Sequence, residues 1–123
     1  MKIKYCLPII KNYKDEVSET ILQNLNDYDF YEVWLDYIED LDGTFIKDLT
    51  DKYQRRLILV FRRKNLEKTK LPLEERVKII SSLENSPALV DLDITTQKEE
   101  LDSIKNQGLK IQTIVSYHNY ETT

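Results

Sequence analysis

Phe30-Tyr31-Glu32-Val33-Trp34-Leu35-Asp36-Tyr37-Ile38 is the stretch whose reading decides the fold. Side chains of an extended strand point alternately to its two sides, so Glu32, Trp34 and Asp36 share one side while Val33, Leu35 and Tyr37 share the other. A parallel strand covered by helices on both faces would read as a continuous apolar run. This one does not, and the same division recurs along the chain. Ile58, Val60 and Arg62 alternate with Leu57, Leu59 and Phe61; Asp91 and Asp93 oppose Val90, Leu92 and Ile94; Gln112, Ser116 and His118 oppose Thr113, Val115 and Tyr117. One face is apolar and suited to helices. The other gathers carboxylates, an arginine, an amide and the histidine. That asymmetry predicts a barrel wall with helices on one side, in preference to an open sheet wound on both faces.

The apolar runs are five: Ile3 to Ile10, Phe30 to Ile38, Leu57 to Phe61, Ala88 to Ile94 and Lys110 to Tyr117. They begin roughly 22 to 32 residues apart, the spacing of βα units. Helical periodicity fills the gaps. Val17, Ile21, Leu22 and Leu25 form a stripe between Asp15 and Tyr28, and Phe45, Ile46, Leu49 and Tyr53 a second after Gly43. Pro72 opens a third helix with Glu74 and Glu75 at its positive end and Val77, Ile80 and Leu83 on its buried face; Asn85-Ser86-Pro87 ends it. Thr96-Gln97-Lys98-Glu99 reads as a capping box for a fourth, Leu101 and Ile104 supply its stripe, and Gly108 suits the left-handed position after its end. The expected fold is α/β: a partial (β/α)8 TIM barrel of five parallel strands with four intervening helices. Residues 1–123 are expected to form one domain, part of such a barrel.

At 123 residues the chain is about half the ~250 usual for a closed barrel, so a barrel reading calls for a second half or a partner. The two outer strands would expose unpaired backbone and invite one. Charged residues are 33% and hydrophobic residues 41%, an ordinary globular composition. A net charge of −4 and dispersed tyrosines argue against a dedicated nucleic-acid binder. A local basic cluster, Arg55, Arg56, Arg62, Arg63, Lys64, Lys68 and Lys70, could hold phosphate or carboxylate, or be a solvated loop. The single cysteine, Cys6, precludes an internal disulfide and is expected to be a small core residue. With no apolar run approaching the ~20 residues of a membrane span, the expected location is cytoplasmic.

The polar face holds Glu32, Asp36, Arg62, Asp93 and His118, of which Asp36, Arg62, Asp93 and His118 fall at or near the C-terminal ends of their strands, where barrel active sites assemble. Histidine can take and return a proton near neutrality, and arginine offers a rigid fork to oxygen ligands. His118 could equally be a hydrogen-bonded structural histidine, and Arg62 an ion-pair partner of Asp36 or Glu67. No metal-ligand spacing, glycine-rich phosphate loop or serine triad occurs, so no metal or cofactor is expected.

Three motifs resemble type I 3-dehydroquinate dehydratase: Tyr31-Glu32-Val33-Trp34-Leu35-Asp36-Tyr37, Leu59-Val60-Phe61-Arg62-Arg63-Lys64 and Val115-Ser116-Tyr117-His118-Asn119-Tyr120. Cys6-Leu7-Pro8-Ile9 and Val90-Asp91-Leu92-Asp93 are similar more loosely. The resemblance implies dehydration of 3-dehydroquinate to 3-dehydroshikimate in the shikimate pathway, through a Schiff base between the substrate ketone and a lysine. It further implies that His118 is the general base, that Glu32, Arg62 and the residue at Trp34 hold substrate, and that Glu67 orients the histidine. The chain departs from the family pattern in two places. Trp34 stands where the family has arginine, and Glu67 is offset by one where the family has Glu-Gly-Gly after the third strand. The Schiff-base lysine of the family belongs to a sixth strand, after Thr123. The expected partners are the small-molecule substrate and either the complementary barrel half or a second copy, without nucleic acid or membrane. Two alternatives stay open: a non-catalytic half-barrel that binds a polyhydroxy acid or pairs with another chain, and an open α/β binding domain.

Overall fold

The computed structural model describes residues 3–61, 71–93 and 97–116. Among them the elements run β1 (Cys6–Ile9), α1 (Lys14–Gln23), β2 (Phe30–Trp34), α2 (Gly43–Tyr53), β3 (Leu57–Val60), α3 (Leu73–Ser82), β4 (Leu89–Asp93), α4 (Lys98–Gln107) and β5 (Gln112–Ser116). Short 3₁₀ turns, Leu35–Tyr37 and Gln54–Arg56, follow β2 and α2.

All neighbouring strands are parallel and lie in chain order, β1-β2-β3-β4-β5. That order decides between the two α/β architectures. Right-handed crossovers that always step to the next strand deposit every helix on the same face, whereas a doubly wound sheet must reverse its strand order somewhere. Packing agrees. Ile9, Tyr31, Val33, Leu57, Leu59, Phe61, Val90 and Leu92 form one core with Val17, Ile21, Ile46, Leu49, Ile80 and Leu83 of the helical segments. Ile58 and Val60 are buried too but stand outside that cluster, on the other face. The arrangement is that of a partial TIM barrel, and it excludes the open, doubly covered sheet within the described residues.

Local chemistry sets the element ends. Asp42 Oδ1 accepts the Phe45 N–H at 2.8 Å and caps α2, while Lys14 Nζ reaches the other carboxylate oxygen at 2.7 Å and ties the start of α1 to the same turn. This cation, with the Phe45 N–H behind it, holds the Asp42 carboxyl below its usual range. Gly108 takes φ 63°, the left-handed end expected of it.

Several expectations need correction. The second strand stops at Trp34, so Asp36 sits in a 3₁₀ turn and not on the strand face assigned by alternation; Leu35 and Asp36 are both buried, at 0% and 1% exposure. Helix α1 ends at Gln23, and Leu22 of its stripe is exposed. The capping box is also displaced, because α4 starts at Lys98 with Gln97 at its cap position and makes no side-chain cap bond. Cys6 is exposed, since β1 is an edge strand and this residue lies on the side away from the helices.

Candidate functional site

The strand register arranges the helix-free face in rows. Pro8, Glu32, Ile58, Leu89 and Gln112 are successive partners across the sheet. One pleat further along stand Trp34, Val60, Asp91 and Ile114, and beyond them Asp93 beside Ser116. Glu32, Trp34, Asp91 and Asp93 therefore share the face that, among the described residues, carries no core-packing helix, with polarity increasing toward the C-terminal ends of the strands.

Glu32 and Trp34, two residues apart and hence on the same side of β2, are joined directly: the indole Nε1–H donates to Glu32 Oε1 at 2.7 Å. Tyr37, swung round by the 3₁₀ turn, meets the Trp34 ring edge-on, with centroids 6.3 Å apart and an interplanar angle of 66°. An indole has a single N–H, and here it is committed to the carboxylate; an ionised carboxylate keeps most of its roughly four acceptor positions free. Trp34 thus fixes Glu32, and Glu32 remains able to accept hydrogen bonds from a ligand hydroxyl. The Cys6 thiol reports the same neighbourhood. Its pKa is pushed up first by desolvation and then by the negative charges of Glu32 and Asp91, which belong to β2 and β4.

The C-terminal ends of β3 and β4 are clamped by Gln97. Its Oε1 accepts the Asp93 N–H at 2.8 Å, its Nε2–H donates to the Phe61 carbonyl, and its own backbone N–H donates to Asp93 O at 2.9 Å. Both ends of one buried amide are spent on holding two strand ends together. Behind the wall, Arg76 of α3 pairs with Glu100 of α4 at 3.2 Å and also donates to the Leu71 carbonyl; Glu100 is buried. At the opposite end of the sheet Arg56 donates to the carbonyls of Leu25 and Tyr28, each at 2.8 Å, and to Tyr31 Oη at 2.7 Å. Its guanidinium carbon stands 5.0 Å from the Tyr31 ring centroid. Arg56 therefore serves the framework, which removes it from the anion-holding cluster that the sequence grouped it with.

Of the residues singled out in the sequence, the structure brings Glu32 and Trp34 into contact and sets Asp91 and Asp93 on their face. Arg62, Glu67 and His118 lie outside the described residues, as do Arg63, Lys64, Lys68 and Lys70. Among the described residues no group of three or more histidine, cysteine or acidic side chains could hold a metal ion, and no helix is long and apolar enough to cross a membrane. The Gln97 clamp escaped sequence reasoning because glutamine within a helix-start pattern carries no mark of burial. Glu100, inside an acidic first turn, was hidden in the same way.

A sequence model of the type I 3-dehydroquinase family matches residues 5–123. Among characterised proteins the chain is 32% identical over 103 residues to the shikimate biosynthesis protein AroDE of Chlamydia pneumoniae, covering 84% of this chain and 21% of that protein. It is 32% identical over 98 residues to the 3-dehydroquinate dehydratase of Methanopyrus kandleri, covering 77% of this chain and 43% of that one. The chain spans less than half the length of either relative.

Proposed function

The chain belongs to the type I 3-dehydroquinase family, and from that premise we propose that residues 1–123 form the N-terminal part of a barrel that dehydrates 3-dehydroquinate to 3-dehydroshikimate in the shikimate pathway. The barrel works in the cytoplasm. The Glu32–Trp34 pair is the observation that carries the reading: a carboxylate held by an indole, on the face of the wall that is free of core-packing helices, near the strands' C-terminal ends.

In this reading Glu32 accepts from the substrate's hydroxyls, and Arg62 pairs with its carboxylate. Trp34 replaces the family's arginine fork with a neutral donor turned inward to Glu32, so it positions Glu32 and offers its ring to the substrate. A lysine from a segment that follows these five strands in the barrel forms an imine with the substrate ketone. The imine draws electrons from the adjacent carbon, and His118 removes the proton there. The hydroxyl one carbon further on then departs as water, with the same imidazolium returning a proton to it. Hydrolysis of the imine releases product and restores the lysine. Glu67 orients His118.

The test uses the single tryptophan, Trp34, as reporter. Adding 3-dehydroquinate to the chain is expected to change its emission saturably, and Arg62→Ala to weaken that response. An emission spectrum indifferent to 3-dehydroquinate would count against the substrate assignment.

A further inference from the structure

The N-terminal mouth of the sheet, at the opposite end from Trp34 and Asp93, holds a cavity that the dehydratase reading does not use. It measures about 720 Å³, within the ~300–1,000 Å³ of small-molecule clefts. Three cations line it, each from the approach to a different strand: Lys4 before β1, Arg55 before β3 and Lys110 before β5. Asn85, Ser86 and Gln112 add neutral hydrogen-bonding groups, and Phe30, Pro87 and Leu89 an apolar floor.

Among the described residues no aspartate or glutamate lines this cavity, although the chain has 22 acidic residues against 18 basic ones. Nor do the cations neutralise one another's surroundings: the ion pairs among the described residues involve Lys14, Lys47 and Arg76, and none of the three mouth cations. Lys4 Nζ lies 5.8 Å from the Phe30 ring centroid, which steadies it without cancelling its charge.

The backbone around the cavity is tied down. Asn85, in the left-handed conformation at φ 66°, donates its N–H to the Lys110 carbonyl at 2.8 Å, joining the loop before β4 to the entry of β5. Arg55 follows α2 in a 3₁₀ turn whose last residue, Arg56, is anchored by the carbonyls of Leu25 and Tyr28. Asp29, just before β2, accepts the Tyr5 N–H at 2.8 Å and lines a neighbouring cleft that shares Lys4, Phe30 and Arg55 with this one. Three positively charged residues thus line one opening, two of them on anchored backbone.

We propose that this mouth is an anion-binding site for a small molecule bearing two or more phosphate or carboxylate groups. It opens at the other end of the helix-free face from Trp34 and Asp93, with Leu89 and Gln112 in the same row as Glu32, and its test does not involve 3-dehydroquinate. Two charges or more are required because one exposed pair contributes little, whereas three cations lining one opening add their fields over a single ligand.

Calorimetry of the chain with pyrophosphate and with citrate, at low ionic strength, tests the site. Saturable binding of at least one is expected, and Lys4→Gln, Arg55→Gln and Lys110→Gln combined should weaken it about tenfold or more, each substitution alone giving a few-fold loss. Lys47→Gln, which removes a cation already paired with Asp51, should leave the affinity unchanged. Should the triple variant lose its circular dichroism signature, Arg55→Gln alone decides the matter. Absence of saturable binding by both anions, or equal losses in Arg55→Gln and Lys47→Gln, would overturn the proposal.

Discussion

Replacing Gln97 with alanine removes the clamp between the ends of β3 and β4, and its cost follows from the bonds it makes. The amide accepts the buried Asp93 N–H at 2.8 Å and donates to the Phe61 carbonyl; both residues show no solvent exposure. Truncation leaves two buried backbone groups without these partners, at ~1–3 kcal/mol each, and a water entering the vacated space would return part of that. The expected loss is about 2–4 kcal/mol, a large share of the ~5–15 kcal/mol available to a domain. Urea unfolding followed by Trp34 emission measures it directly, with the m-value unchanged. Gln97→Glu sharpens the test. The introduced carboxyl can accept from Asp93 N–H but, when ionised, cannot donate to Phe61, so its pKa is raised in the folded state. For such an acid the stabilising form is present below the unfolded pKa of about 4.3 and is lost as pH rises through the folded value. The variant should therefore lose more relative to the parent at pH 8 than at pH 5. A Gln97→Ala loss under about 0.5 kcal/mol, within the range of ordinary surface changes, would refute the clamp.

Arg56→Ala orphans the carbonyls of Leu25 and Tyr28 and is expected to cost about 3 kcal/mol in the same unfolding assay, with Arg56→Lys recovering less than half because an ammonium lacks the fork; a cost below ~1 kcal/mol would show the contacts to be idle. Cys6, though exposed, should alkylate slowly near neutral pH, because burial against the sheet and then Glu32 and Asp91 hold its thiol protonated. Glu32→Gln should speed the reaction at fixed pH, and an unchanged rate would separate Cys6 from that carboxylate. Borohydride added with 3-dehydroquinate should leave the 14.7 kDa mass of the chain unchanged, whereas a covalent adduct on one of its own lysines would overturn the placing of the imine in a later segment.

The two-sidedness of the wall was legible from alternation alone, because a residue's side of a strand is fixed by parity, and the register Glu32–Ile58–Leu89–Gln112 repeats it across four strands. Where the backbone leaves the extended form, parity stops working. The apolar-polar alternation continues through Leu35, Asp36 and Tyr37, but the chain has turned into a 3₁₀ segment and Leu35 and Asp36 are buried alike. Buried polar groups were hidden for a different reason. Arg76 and Glu100 are 24 residues apart on separate helices, and Gln97 reaches Phe61 across 36 residues, so only the packed structure reveals why either is inside. The separation of framework Arg56 from mouth-lining Arg55 was equally invisible, since adjacent arginines look alike until one finds carbonyls beneath it.

The face bearing Glu32 and Trp34 is the part of the molecule on which the functional reading rests, and amide shift mapping of the ¹⁵N-labelled chain titrated with 3-dehydroquinate addresses it most directly. Perturbations are expected at Glu32, Trp34, Asp91, Asp93 and Ile114, with the helix-facing Val17, Ile21, Ile46 and Ile80 unmoved. Shifts centred on those helices, or none at any ligand concentration, would contradict it.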